Sequence, residues 1–355
     1  MGVALVAGSL GLAACGSSSG TTDEAVAPTK AEATKPASGT LRLFTYDDTV
    51  TDEQLESFRK ANPDVDLKIA TFNSNEEAAA KLAGGFEADV VEVCLDEAEP
   101  LLVRKQLRAI DTGGIADWSR LAFRDEPEVR QDGNVIVVPL SAGPYGIIYN
   151  TEEVPDGVDA YEQMFGDEFA GNMAVEGSSS VAPLAVAAFA LGFEDPFDMT
   201  PDQLDEAKRF LIDNQDKIRS YSDSDSDMVN LFKTGEVVVA NGGRGTAQDM
   251  QEEGLPVEWV APKEGVWSWI CGLGLTSKVK NTDAAYKLLN YYAGPEAQAI
   301  SAENGFVITN PGAESLVPKK YRETSSPASI EGAIPLTAPD DIESYTRAWQ
   351  EVRSG

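Results

Sequence analysis

Trp267 and Trp269 flank the end of an aromatic and apolar run, 266–270, and a lysine-bearing turn and two short helical patterns follow it, up to residue 304. Large aromatic faces beside a strand end, backed by helices, read as a ligand platform with its support rather than as a catalytic centre. The side chains that catalysis draws on are scarce. The chain has no histidine and no Gly-x-Ser-x-Gly run, which excludes His-based triads, His general bases and His-ligated metals. A pair of carboxylates remains open as a hydrolytic device.

Three other groupings could carry chemistry. Ser178, Ser179 and Ser180 stand just before the apolar run 182–191, where serines either cap a helix or, with its first N–H groups, contact an anion. The run 220–227 alternates serine and aspartate but lacks the Gly and terminal Glu of a calcium loop, so it reads as an acidic surface loop capping a helix over 228–232. The Gly-rich stretch 241–245, which reads as the loop at a strand end, contains Arg244 but lacks the phosphate-binding spacing. No metal and no cofactor is expected.

These groups must be positioned by an alternation of strands and helices. A strand over 40–45 leads to the polar loop Tyr46, Asp47, Asp48 and Thr49; Thr51 then caps a helix over 52–61 that Asn62 and Pro63 end. A strand over 65–72, a helix over 76–83 and an apolar strand over 89–93 complete a β-α-β-α-β run, which implies parallel strands with crossover helices. Ligands of such sheets bind beyond the carboxyl ends of the strands. The groups at those ends are Tyr46 to Thr49, Cys94 to Glu97, and Cys271.

Further along, 134–150 reads as two strands broken by Pro139 and by Gly143 with Pro144, a break that suits a crossover between lobes. A strand over 172–175 precedes the serines, a helix starts at Thr200 and Pro201, and a strand over 236–240 precedes the Gly-rich stretch. The strand at 266–270 is expected to end near Cys271, with Gly272 and Gly274 carrying the chain onward. A helix capped by Asn281 or Thr282 stops at Gly294, and Pro295 opens another over 295–304.

Composition bounds the partners. The 355 residues are enough for two domains, and 59 acidic against 28 basic residues give a formal net charge of -31. Such a chain repels nucleic-acid backbones and anionic lipid surfaces, so nucleic acid is not expected as a partner. The N-terminal run 3–14 is apolar and small, ends in Leu12, Ala13, Ala14 and Cys15, and is shorter than the ~20 residues a helical span needs. It matches a bacterial lipoprotein processing site, with residues 1–15 as signal peptide, Cys15 as the lipidated residue, and a Ser/Gly/Thr-rich tether over 16–39.

The segments TLRLFTYDDTV, ATFNSNEEAAAKL, GEVVVANGG, PKEGVWSW and NGFVITN, in this order, resemble the spermidine and putrescine binding proteins of polyamine ABC transporters over about residues 40 to 355. The resemblance implies an α/β fold, the two-lobe periplasmic-binding-protein fold (type II), with a ligand cleft between the lobes. It divides the chain into one lobe of 40–139 with 270–312 and a second of 140–269 with 313–355. It implies a monomeric, non-enzymatic lipoprotein outside the cytoplasmic membrane that binds a polyamine and delivers it to ABC permease subunits.

Carried over residue by residue, Tyr46 stands for an aromatic residue on the polyamine chain, Asp48 for an acid, Trp269 for a stacking tryptophan and Phe306 for another aromatic. Ser178 and Val181 stand where the family places two carboxylates, Cys271 where it places another, and Ala240 where it has a tryptophan. A polyamine needs a carboxylate near each ammonium, and Asp47, Asp96 and Glu97 are the acids at hand to replace those missing. An Arg244 facing the cleft would instead favour a carboxylate, amino acid or phosphonate, assisted by the helix start at Ser178 to Ser180. A surface lipoprotein that has lost its ligand is the further alternative. Cys94 and Cys271, each directly after a strand, are either bridged on the cleft floor or two separate small buried residues.

Overall fold

The computed structural model describes residue 1 and residues 36–46, 49 and 51–355. Cys15 and Asp48 therefore lie outside the described residues, as does the signal segment beyond its first residue.

One sheet organises the molecule. Its main path comprises β1 (Gly39–Thr45), β2 (Val65–Thr71), β3 (Val90–Cys94), β4 (Val137–Asn150), β5 (Met173–Glu176), β6 (Ile218–Ser222), β7 (Val239–Gly243) and β8 (Trp267–Thr276). The spatial order is β2-β1-β3-β8-β4-β7-β5-β6. At one end β2, β1 and β3 are parallel, as at the other are β7, β5 and β6. Between them β8 and β4 run antiparallel to each other and to their outer neighbours.

The chain thus forms two lobes, and β4 and β8 belong to both. One buried cluster gathers Leu41, Phe44, Val91, Val138, Leu273 and Leu289; another gathers Ile147, Val175, Val186, Val239, Trp267 and Tyr345. Between them, β4 passes from Leu140 to Ile147 and β8 from Trp267 to Leu273.

The helices that pack on the sheet begin where local chemistry tells them to. Thr51 and Gln54 make a reciprocal capping box for α1 (Asp52–Ala61), and Ser74 caps α2 (Asn75–Ala83). The uniformly apolar α3 (Ala182–Ala190) is buried nearly all round, as a helix without a polar face must be. A second capping box, Thr200 with Gln203, opens α4 (Pro201–Asp213). Ser224 caps α5 (Asp225–Lys233), α6 (Arg244–Glu252) follows β7 directly, and Asn281 caps α7 (Thr282–Ala293). Pro295 starts α8 (Pro295–Glu303), and α9 (Ile342–Ser354) closes the chain against α4.

Four expectations need correction. Residues 137–150 form one strand, not two, because Pro139 and Pro144 fall within β4 without ending it. The strand at Trp267 does not end near Cys271 but continues to Thr276. Glycine is needed there for approach rather than for a turn: a Cβ on Gly272 would stand 2.2 Å from the Val138 carbonyl oxygen. The run 220–227 is not one loop, since it supplies the end of β6 and the capped start of α5. Finally, 241–245 is the end of β7 running straight into α6.

Candidate functional site

The first wall is built at the ends of β1 and β3. Glu92 is buried in the middle of β3 and accepts hydrogen bonds from the Thr45 hydroxyl, the Tyr46 N–H at 3.1 Å and the Thr49 hydroxyl at 3.0 Å, which fixes the turn after β1. Burial pushes its carboxyl up, against these three donors. Asn75, at the start of α2, does the same for β3: its amide accepts from the Cys94 N–H at 2.8 Å and donates to the Glu92 carbonyl at 2.9 Å. The turn Leu95–Glu97 then presents Asp96 and Glu97.

Glu97 accepts from the Asn75 N–H at 2.9 Å and from the Tyr46 hydroxyl at 3.2 Å. Asp96 has a buried carboxylate oxygen, Oδ1, with no hydrogen-bond partner among the described residues. Burial raises the pKa of Asp96 well above the usual range, and the charges of Glu97 and Glu176 add to it. Burial likewise raises Glu97. The Tyr46 phenol is pushed up by burial and then by Glu97, Asp96 and Glu92.

The second wall stands at the ends of β5 and β7. Glu176 is the last residue of β5 and is buried. Its Oε1 accepts from the Ser178 N–H at 2.7 Å and from the Ser178 hydroxyl. Its own N–H donates to Asn241 Oδ1 at 2.8 Å, so the Asn241 side chain bridges β7 and β5 where their backbones part. Burial raises the Glu176 pKa to about 7, opposed by Ser178 and assisted by the charges of Glu97 and Asp225. Ser179 accepts from the N–H groups of Val181 and Ala182 at the start of α3.

The floor belongs to the crossing strands. Trp269 lies against Gly143 of β4, where a Cβ would come within 2.7 Å of the indole, and its ring meets Phe306 edge-on at 5.8 Å. Trp267 is not part of this surface: it is buried in the second core, donates to the Tyr161 hydroxyl at 2.9 Å and stacks on Tyr145. Cys94 and Cys271 are directly opposite residues of β3 and β8 and are joined by a disulfide. The turn carrying Asp96 and Glu97 is therefore tied to the strand carrying Trp269 and packs on it.

Of the residues singled out in the sequence, Tyr46 and Asp96 share the first wall, Trp269 and Phe306 meet on the floor, and Ser178 serves Glu176 on the second wall. Arg244 is occupied elsewhere: its guanidinium donates to the Thr324 carbonyl and to the Ser329 hydroxyl at 3.0 Å and lies over the Trp259 ring at 5.7 Å. Burial lowers its pKa to about 10. Glu92, Glu176 and Asn241 escaped the sequence reading. Glu176 carried a signal nonetheless, as a carboxylate at the boundary of a strand and a Gly/Ser run.

No described Lys or Arg forms an ion pair with Asp96, Glu97 or Glu176, and no described group of three acidic, Cys or His residues is arranged to hold a metal. A surface hollow of about 480 Å³ beside α1 is lined by Asp52, Glu53, Glu56, Arg59 and Lys60. Its cations already pair with Asp52 and Glu56 at 2.8 and 2.7 Å, so it is a solvated helix face away from the walls described.

The profile of the bacterial extracellular solute-binding proteins matches residues 53–325. The chain belongs to this family. It is a solute-binding protein and not an enzyme. Over 345 residues it is 25% identical to the spermidine/putrescine-binding periplasmic protein 1 of Haemophilus influenzae, covering 91% of each chain. A putrescine-binding periplasmic protein of Escherichia coli is 26% identical over 348 residues, covering 89% of this chain and 92% of the relative. The crystal structure of a lipoprotein of Treponema pallidum superposes with a TM-score of 0.77 at 20% identity, over 89% of this chain and 100% of that one. This structural likeness supports the two-lobe type II fold of the solute-binding proteins.

Proposed function

We propose that this solute-binding protein takes a polyamine or related amine between its lobes and delivers it to the permease of an ABC importer. The observation that carries the reading is the set Asp96, Glu97 and Glu176. Burial raises the pKa of all three, the charges of Glu97 and Glu176 add to Asp96 and that of Glu97 adds to Glu176, and no described cation pairs with them. Such groups are stabilised by a ligand ammonium, whose charge-assisted hydrogen bonds contribute roughly 1.5 to 3 kcal/mol each. Trp269 and Phe306 offer aromatic faces for methylenes and cations, with about 2 kcal/mol for a desolvated cation–π contact. Tyr46, Asp48, Asp96, Ser178, Trp269 and Phe306 are the proposed ligand residues from sequence, to which Glu97 and Glu176 are added. The relatives, a spermidine/putrescine-binding and a putrescine-binding periplasmic protein, favour the same class.

The carboxylate or phosphonate reading loses its groups. Arg244 is held by Thr324 and Ser329, while Ser178 and Ser179 donate to Glu176 or cap α3. The proposal includes the lobes 40–139 with 270–312 and 140–269 with 313–355, a monomeric state, and a lipid anchor on Cys15. Titration calorimetry with putrescine, spermidine and glutarate, a carboxylate without an amine, tests the ligand class. Amine binding with no glutarate binding is the expected result, and no heat with any amine would overturn it.

A further inference from the structure

We infer that the ligand carries an oxygen acceptor near its ammonium, received by Asn241, Thr246 and the first turn of α6, so that a plain polyamine is not the best occupant. The inference rests on the amine reading above and names the ligand within that class. It starts from two side chains. Asn241 is 0% exposed; its Oδ1 is used by the Glu176 N–H, and its Nδ2 has no partner among the described residues. Thr246 is 3% exposed, and its Oγ1 also has no partner among the described residues.

Both flank the start of α6. Asn241 lies in β7 two residues before Gly243, the N-cap of α6, and Thr246 is the third residue of that helix. The Thr246 Oγ1 lies 3.1 Å from where a Gly243 Cβ would stand, so this hydroxyl is beside the helix start. Gly243 offers no side chain to cap the first turn. The Asn241 amide is fixed on the backbone N–H of Glu176, so one unpartnered donor, its Nδ2, stands at the end of the strand that carries this carboxylate.

Buried donors without acceptors cost free energy that a ligand oxygen would recover. The partial positive charge of a helix N-terminus favours the same kind of group. A plain polyamine brings only N–H donors and cationic nitrogens, which leave Asn241 unsatisfied and meet the wrong end of α6. An amine bearing an acyl, hydroxyl or carboxylate oxygen fits both sets: its ammonium goes to Glu176, Asp96 and Glu97, and its oxygen to Asn241 Nδ2 and the α6 start.

The test is calorimetry on the full protein with four probes: putrescine, spermidine, N-acetylputrescine and 4-aminobutyrate. Either or both of the oxygen-bearing amines should bind at least about tenfold tighter than putrescine. Thr246→Val should move that ratio toward one, and Thr246→Ser, which keeps the hydroxyl, should restore it; melting curves identify a variant that fails to fold. Equal or tighter binding of putrescine or spermidine overturns the inference and leaves the amine reading standing. Absence of binding by all four overturns both. An unchanged ratio in a folded Thr246→Val protein also overturns the inference.

Discussion

Ser178 donates twice to one oxygen of Glu176, through its N–H at 2.7 Å and through its hydroxyl. The second oxygen of that carboxylate takes no hydrogen bond from the described residues, while Glu97 of the other lobe acts on it as a like charge. Glu176 is thus oriented from behind and unsatisfied in front, which is how a carboxylate is arranged to receive a cation. Glu176→Gln should lower putrescine affinity by about 10- to 100-fold, the equivalent of one charge-assisted hydrogen bond. Calorimetry at pH 8, where the native carboxylate is ionised, measures this. An unchanged affinity would remove Glu176 from the site.

Stability and affinity should respond to pH in opposite senses. The folded pKa of Glu176, about 7, lies above its ordinary value of 4.5. A raised carboxyl favours the neutral form in the folded state, so its contribution is full below about pH 4 and is lost as pH rises through 7. For this buried group the effect is on the order of 3 kcal/mol. The ligand-free protein should melt at a lower temperature at pH 8 than at pH 5, with a smaller difference in Glu176→Gln. Amine affinity should rise over the same interval, since only the ionised carboxylate attracts the ammonium. A variant and a native protein with the same melting profile from pH 5 to 8 would count against the assignment.

Gly143 sets the position of Trp269. Its missing Cβ admits the indole, and a methyl group there would stand 2.7 Å from the ring. Gly143→Ala should displace Trp269 and weaken amine binding by about 5- to 30-fold, the range of a desolvated cation–π contact. The melting temperature should change less than binding does, because the ring that must move is only half-buried. Unaltered affinity in this variant would show that the ligand does not use Trp269.

Much of the fold is local and was legible. Thr51 with Gln54, Thr200 with Gln203, and Pro295 after Gly294 announce helix starts through backbone chemistry within four residues. The centre of the molecule was harder to read because its unusual residues answer to distant neighbours. Gly272 reads as a turn residue, yet it is glycine because Val138 approaches from another strand. α6 buries only Thr246, Ala247 and Met250, too little apolar pattern to announce a helix after a Gly-rich stretch. Glu176 and Glu92 look like ordinary surface acids until the fold brings Glu97, Thr45 and Tyr46 beside them.

The disulfide joins residues 177 apart in sequence and lies where β3 hands over to the Asp96–Glu97 turn. Its removal should therefore act on stability and on binding separately. Closing a loop longer than 100 residues is worth up to about 5 kcal/mol by chain entropy, and native bridges commonly contribute 2 to 4. The double variant Cys94→Ser, Cys271→Ser should melt at a clearly lower temperature than the native protein. Dithiothreitol should lower the native melting temperature and leave the variant's unchanged. Below its melting temperature the variant should still bind amine, with an affinity reduced only a few-fold, because Asn75 continues to hold Glu92, residue 94 and Glu97 through one hydrogen bond each. A non-reduced peptide map provides the direct check: Cys94 and Cys271 should be recovered in one linked peptide pair. Recovery of both as free thiols, with no effect of dithiothreitol on melting, would exclude the bridge and its role in tying the acidic turn to the floor beneath Trp269.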